Sequence, residues 1–243
     1  MVATESLDHE LQRTILLKLI HTPELSFNEL WAKEGESNLF AYHVNKLESK
    51  NLIAKNQNGK YSLTQEGRTL SAFIEGDTGQ KAAFPTFAVI ILAKNKNAFL
   101  CQKRLKEPFY GMWGFVSGKI NFGMNLFECA SRDLLEEAGL VAKNWHFRGI
   151  EQIKTFEDSK LIHHHYLFWA ETSNAEGILK ERTHKAENAW LTRDEFFAQK
   201  DRFPGTGMFD KVLASEKFIL LEAVRESKNG VLVSARITSI NEL

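Results

Sequence analysis

The chain has 243 residues, 31 basic and 31 acidic side chains and a formal net charge of zero, with 43% hydrophobic and 26% charged residues. This is the composition of a globular protein of one large or two modest domains. It excludes wholesale disorder and fibrous repeats, and it leaves no whole-molecule field to draw nucleic acid or anionic membrane. The longest apolar run, Phe87 to Ala93, is far too short to span a bilayer. The N-terminal Glu5, Asp8, Glu10 and Arg13 leave no room for the apolar region of a signal peptide, and Cys101 and Cys129 have no metal-type or redox-type spacing. A cytoplasmic protein with no membrane partner is expected.

In chain order, Leu11, Ile15 and Leu19 recur every four residues with Leu16 and Ile20 one step round, which predicts an amphipathic first helix. Ser26 and Glu29 form a capping box for a second, with Leu25 and Leu30 in the staple positions. A third helix is read from Asn38 to Lys50, with Leu39, His43 or Val44, and Leu47 as its inward stripe. Extended pieces Leu52–Asn56 and Lys60–Leu63 meet at Asn58-Gly59, a hairpin turn signal, and Thr64 caps a fourth helix reaching about Phe73. The polar stretch from Glu75 to Lys81 has the character of a linker.

Three helices followed by a hairpin resemble the winged helix-turn-helix of bacterial transcription regulators, most closely over Ser37 to Arg68. Charge supports the likeness locally. Residues 1–36 carry three basic and seven acidic side chains, net −4, whereas residues 41–70 carry five basic and two acidic, net +3. A basic third helix and wing on a neutral chain suits an element that enters a groove of double-stranded DNA while its neighbours touch phosphates. The candidate DNA-binding residues are Asn38, Tyr42, Asn45, Lys46 and Lys60, with Ser49 on the same outward face. The bland alternative is a module that binds protein.

From Phe84 the pattern changes to short β-rich runs. Phe87–Leu92 and Phe99–Gln102 flank the turn cluster Lys94–Asn97, and further strands are expected near Trp145–Phe156 and Leu161–Ala170. Between them Asn125 and Glu128 cap one helix, read from Leu126 to Ala138, with Gly139 at its C′ position. Asp133, Glu136 and Glu137 then lie at i, i+3 and i+4 on one face. Like charges at that spacing destabilise a helix, so they are either solvated or used, for instance on a hard cation.

The string Gly118-x5-Met124-x7-Arg132-Asp133-Leu134-Leu135-Glu136-Glu137-Ala138-Gly139-Leu140 closely resembles the Nudix box, G-x5-E-x7-R-E-U-x-E-E-x-G-U with U apolar. The approach QKRLKEPFYGMWGFVSGKINFG, and Trp190 followed by the Thr192–Glu195 capping box, are similar to the same family. The resemblance implies an α+β chain. It would comprise a winged helix-turn-helix (1–75), a linker (76–83), a Nudix α/β/α sandwich with a mixed sheet (84–215) and a C-terminal hairpin (216–243) read from Phe218–Ala223 and Val231–Ile237 around Asn229-Gly230. That hairpin could pair with a second subunit's edge or dock the two domains.

The resemblance also implies a site that hydrolyses or binds a nucleoside diphosphate linked to another group, with Mg²⁺ or Mn²⁺ as cofactor. Asp133, Glu136, Glu137 and Arg132 match the family's catalytic residues, and the carboxylates with Gly118 and Glu187 its metal ligands. Lys103, Arg104, Trp113 and Phe115 are candidates for substrate contact, with Tyr110 a further stacking candidate, and each of the three aromatic rings equally suits core or rim packing. Two departures bear on activity: the box glutamate is Met124, and the next is shortened to Asp133. Val116-Ser117 also replaces the family's usual proline-glycine. A displacement of ~1 Å in a base or ligand can cost on the order of a hundredfold. Two functions follow. One is a metabolite-responsive transcription regulator, dimeric by analogy, whose Nudix-like domain senses a nucleotide ligand and slowly hydrolyses it or only binds it. The other is an active Mg²⁺-dependent pyrophosphohydrolase with an accessory winged helix. His163-His164-His165 alternate across a strand and read as packing or substrate contacts rather than a zinc site, and Cys129 reads as buried.

Overall fold

The computed structural model describes residue 7 and residues 9–79, 82–204 and 207–243. Glu5 and Asp8, counted in the acidic N-terminal stretch, and residues 80 and 81 of the expected linker lie outside the described residues. The chain forms two compact units, Met1–Phe84 and Pro85–Leu243.

The first unit runs α1 (Glu10–His21), β1 (Leu25–Ser26), α2 (Phe27–Trp31), α3 (Ser37–Ser49), β2 (Ile53–Lys55), β3 (Lys60–Leu63) and α4 (Gln65–Ser71). The Ser26–Glu29 capping box is present at α2, and the Thr64 hydroxyl accepts from the Gly67 amide at α4. One core gathers Ile15, Leu16 and Leu19 of α1, Leu30 of α2, Phe40, Val44 and Leu47 of α3, and Ile53 and Tyr61 of the hairpin. The inward stripe of α3 differs from the expected one. Leu39 is 46% exposed, and Phe40 starts an i, i+4, i+7 row through Val44 and Leu47, with His43 buried beside it. The β2–β3 turn is also wider than a two-residue loop. Asn56 Oδ1 accepts from the amides of Asn58 and Lys60, and only Gly59 takes the left-handed conformation, at φ 76°. Strand β1 joins this hairpin through β3, giving the order β1-β3-β2.

The second unit is an eight-stranded mixed sheet between helices. Its elements are β4 (Thr86–Asn95), β5 (Ala98–Arg104), β6 (Trp113–Lys119), α5 (Leu126–Asp133), a π-helical turn (Leu134–Ala138), β7 (Leu140–Val141), β8 (His146–Glu157), β9 (Lys160–Thr172), β10 (Glu176–Gly177), β11 (Ala186–Thr192), α6 (Arg193–Ala198), α7 (Gly207–Ala214), β12 (Ile219–Lys228) and β13 (Val231–Glu242). The main sheet has the order β11-β5-β6-β4-β9-β8-β12-β13, and β7 pairs separately with β10. Helix α5 and the π turn bury Cys129, Ala130, Leu134 and Ala138 against Val89, Ile91, Leu100, Val116 and Ala170 on one face. On the other face Phe196 of α6 and Met208, Phe209 and Val212 of α7 meet Leu92, Cys101, Ile153, Trp169, Ile219 and Leu221.

Three sequence expectations change in detail. Strands β4 and β5 pair only at Lys94↔Phe99 and Asn95↔Ala98 before diverging to other partners. The C-terminal hairpin is longer than read and belongs to the main sheet, because β12 runs parallel to β8 from Ile219↔Gly149 to Ser227↔Glu157. Its turn is the expected Asn229-Gly230, both residues at positive φ. The box helix is α-helical only to Asp133 and finishes in the π turn, closed by Gly139 at φ 74°.

Candidate functional site

Asn125 and Glu128 cap each other's backbone amides and start α5 where the sequence places it. Eight residues on, Asp133 is buried. Its Oδ1 accepts from Arg132 Nε at 2.9 Å and lies 2.8 Å from Arg132 Nη2. Its Oδ2 has no hydrogen-bond partner and lies against Gly118, where an added Cβ would fall 2.0 Å from it. Glycine is therefore required at 118 for the carboxylate to tuck beneath β6. Burial pushes the Asp133 carboxyl up from the ordinary carboxylate value, while the Arg132 fork pulls it down and Glu136 and Glu137 add to the rise. Arg132 also donates to the Lys119 carbonyl at 3.0 Å and to Met124 Sδ at 3.3 Å. A thioether sulfur thus meets the arginine from the sequence position that is glutamate in the box pattern, and sulfur is a weak acceptor.

Asp133 closes α5, and Glu136 and Glu137 follow it in the π turn, near enough for their charge to bear on the Asp133 carboxyl. Glu136 turns to solvent. Glu137 keeps a side chain only 12% exposed, with Lys185 Nζ 3.6 Å from its Oε1. Arg104 carries its charge nearby: burial lowers its pKa, and Glu137 and then Glu107 oppose the shift. Lys180 Nζ donates to the carbonyls of Leu135 and Glu136, and Asn188 Nδ2 to those of Glu137 and Lys180, both at 2.7 Å.

The strand register sorts the other candidates by face. Gln102 of β5 pairs with Asn188 of β11, and their side chains join on the helix side at 3.1 Å, which puts Arg104 on that side too. Lys103, paired with both Trp113 and Glu187, points to the opposite face. Glu187 therefore does not join the box; it forms a 2.8 Å ion pair with Arg182. Phe115 is half-buried and packs against Trp169, Phe196 and Phe209, and Trp113 borders the same cluster. Tyr110 is exposed. Asn188, Lys180 and Lys185 escaped the sequence reading. Only the alternation of β11 about Trp190 hints at Asn188, and nothing local signals the two lysines.

The histidine strand alternates as read. His163 and His165 share a face with ring centroids 5.7 Å apart, and His164 lies within 2.8 Å of Gln152 on the other. Burial, then the charges of His163, Arg225, His164 and Lys119, lowers His165 to about 4. On this face Glu151 is buried, accepts from Trp169 Nε1, and leaves Oε1 without a partner near Arg225 of β12. In the first unit Asn38, Tyr42, Asn45, Ser49 and Lys60 are exposed and Lys46 is half-buried.

The donor chemistry of the box, carboxylates and a backbone carbonyl, is that of a hard-cation site. Its arrangement is not. Among the described residues no group of three or more His, Cys, Asp or Glu is disposed to hold a metal ion. Asp133, Glu137 and Glu187 each face a cationic side chain instead.

Residues 83–211 match the model of the NUDIX domain. Among solved structures, the chain is similar to a mutator MutT protein from Bacillus halodurans, at 22% identity and a TM-score of 0.51, over 63% of this chain and 97% of that one. It is also similar to the NUDIX domain of Shewanella oneidensis NrtR, a structure containing ADP ribose, at 12% identity and 0.49, over 62% and 98%. A third is the MutT NUDIX hydrolase of Burkholderia pseudomallei, at 15% and 0.46, over 54% and 98%. At these identities the likeness is one of fold.

Proposed function

From the premise that the chain belongs to the NUDIX domain family, which more than half of it matches, we propose that it is a DNA-binding transcription regulator responsive to a nucleotide metabolite. The first unit acts as a winged helix, with α3 entering a groove of double-stranded DNA and the β2–β3 hairpin as its wing. The second binds a nucleoside diphosphate linked to another group. The observation that carries this reading is the pairing of Asp133 with Arg132 and of Glu137 with Lys185, which suits retention of an anionic ligand better than its cleavage. The exposed face of α3, with Asn38, Tyr42, Asn45 and Ser49 outward beside Lys46, supplies side chains able to reach base edges and phosphates. Lys60 stands at the start of the wing strand.

The test is duplex binding by the full chain, followed by fluorescence anisotropy at several salt concentrations. A panel of ADP-ribose, nucleotide-sugars, dinucleotides and nucleoside triphosphates is then added. Affinity should fall with salt and drop on combined Lys46→Ala and Lys60→Ala substitution, and one class of ligand should shift it by roughly 5- to 150-fold. Duplex affinity indifferent to both lysines would discard the DNA-binding half. A panel without effect on either DNA binding or thermal stability would discard the sensing half.

A second reading, an active Mg²⁺- or Mn²⁺-dependent hydrolase with the first unit as an accessory module, draws on the retained Glu136 and Glu137. Turnover of a panel member that disappears in Glu137→Gln would favour it.

A further inference from the structure

We propose that the NUDIX unit holds its diphosphate-type ligand with fixed cations of its own chain, so that binding requires no divalent ion. The proposal rests on the reading above that this unit takes such a ligand, and adds how the charge of that ligand is met.

Every buried or half-buried carboxylate of the metal set that the resemblance implies already has a cation beside it. Arg132 forks onto Asp133, Lys185 faces Glu137 at 3.6 Å, and Arg182 holds Glu187 at 2.8 Å on the other side of the sheet. Glu136 alone stands free in solvent. A single exposed carboxylate is a poor magnesium site, because that ion gives up its water reluctantly and needs carboxylates together with substrate phosphates to hold it. Met124 removes one further hard donor. A dication approaching Glu137 Oε1 would also meet the ammonium of Lys185, and two like charges at that distance repel strongly in a half-buried setting.

The cations that crowd out a metal are the groups a diphosphate needs. Lys180 Nζ donates to the Leu135 and Glu136 carbonyls and keeps one of its three hydrogens. Arg104 donates through Nε to the Pro108 carbonyl at 3.0 Å, which leaves both of its Nη groups to fork onto an anion. The side chain of Lys185 is 41% exposed and can turn from Glu137 toward a phosphate. Lys180, Lys185 and Arg104 are all tied to the end of the box helix, through its carbonyls or through Glu137. They supply the positive charge that a bound ion supplies in a hydrolase.

The experiment is calorimetric titration of the full chain with ADP-ribose as the probe, first in EDTA and then in excess magnesium chloride. The expected result is the same affinity under both conditions, and a loss of about tenfold in EDTA for Lys185→Ala, the worth of one charge-assisted contact. Manganese alone, followed by the electron paramagnetic resonance signal of the free ion, should remain unbound by the wild-type protein and be taken up by Met124→Glu combined with Lys185→Ala. Binding that needs magnesium, or manganese uptake by the wild-type protein, would overturn the proposal and leave the ligand reading standing. Absence of binding under both conditions, with diphosphate-linked sugars and dinucleotides also silent, would overturn the ligand reading itself.

Discussion

Replacing Gly118 with alanine isolates the contact that shapes the box. The new Cβ would fall 2.0 Å from Asp133 Oδ2, 2.4 Å from its Cγ and 2.8 Å from Oδ1, well inside van der Waals contact. Asp133 cannot simply swing aside, because it is buried and its other oxygen is held by Arg132 at 2.8–2.9 Å. Either β6 moves or the Arg132–Asp133 pair separates. Overpacking costs about 1–3 kcal/mol, and a strained charged hydrogen bond falls in the same range, so a loss of about 2–3 kcal/mol is expected. For a unit of this size that lowers Tm by about 4–12 °C at about 2–4 °C per kcal/mol. The assay is thermal unfolding of the wild type, Gly118→Ala, Asp133→Ala and the double variant. Removing Asp133 also removes the clash, so the double variant should recover much of what Gly118→Ala loses, a coupling of at least about 1 kcal/mol. A Gly118→Ala variant within about 0.5 kcal/mol of the wild type, or strictly additive losses, would refute the account of why glycine stands there.

Acidification should weaken the second unit through His165. Its folded pKa of about 4 lies below the unfolded value near 6.5, so the unfolded chain takes up a proton the native state refuses; the stabilisation is full above about pH 6.5 and declines as pH falls toward 4. The slope is at most about 1.4 kcal/mol per pH unit, less for a half-buried ring, and His165→Gln should flatten it; identical slopes in urea unfolding at pH 7 and pH 5 would exclude His165 as the source. Asn188→Ala strips donors from the Glu137 and Lys180 carbonyls and orphans Gln102, and should cost about 2–3 kcal/mol by urea denaturation, with a loss below 1 kcal/mol sinking the idea. Asn125→Ala, which opens the capping box of α5, should cost about 1 kcal/mol, visible as a proportionate fall in the urea midpoint.

Where a single local interaction decides the structure, the sequence was sufficient. The capping boxes at Ser26, Asn125 and Thr192 start helices as their spacing demands, because both partners lie within one turn. Asn229-Gly230 likewise sets its own turn. The inward stripe of α3 was ambiguous because both Leu39 and Phe40 begin helical apolar rows, and only tertiary packing chooses between them. The π turn was hidden for a similar reason. Its residues Leu134–Ala138 have good helical character, and nothing local distinguishes an i→i+4 from an i→i+5 closure. Which face of the sheet a candidate occupies depends on strand register. The box residues themselves were legible, but the separation of Glu187, Lys103 and Phe115 from them, and the arrival of Lys180 and Lys185 beside them, were not.

The parallel pairing of β12 with β8 has a practical consequence for handling this protein. The family match stops at residue 211, yet Ile219, Leu221 and Ala223 complete the hydrophobic layer shared with Ile153 and Trp169. A fragment excised at the family limits would leave that layer open to water and the edge of β8 bare, and would be prone to precipitate. During synthesis the same layer stays unsealed until β12 has cleared the ribosome, so the nascent chain carries a sticky surface up to that point.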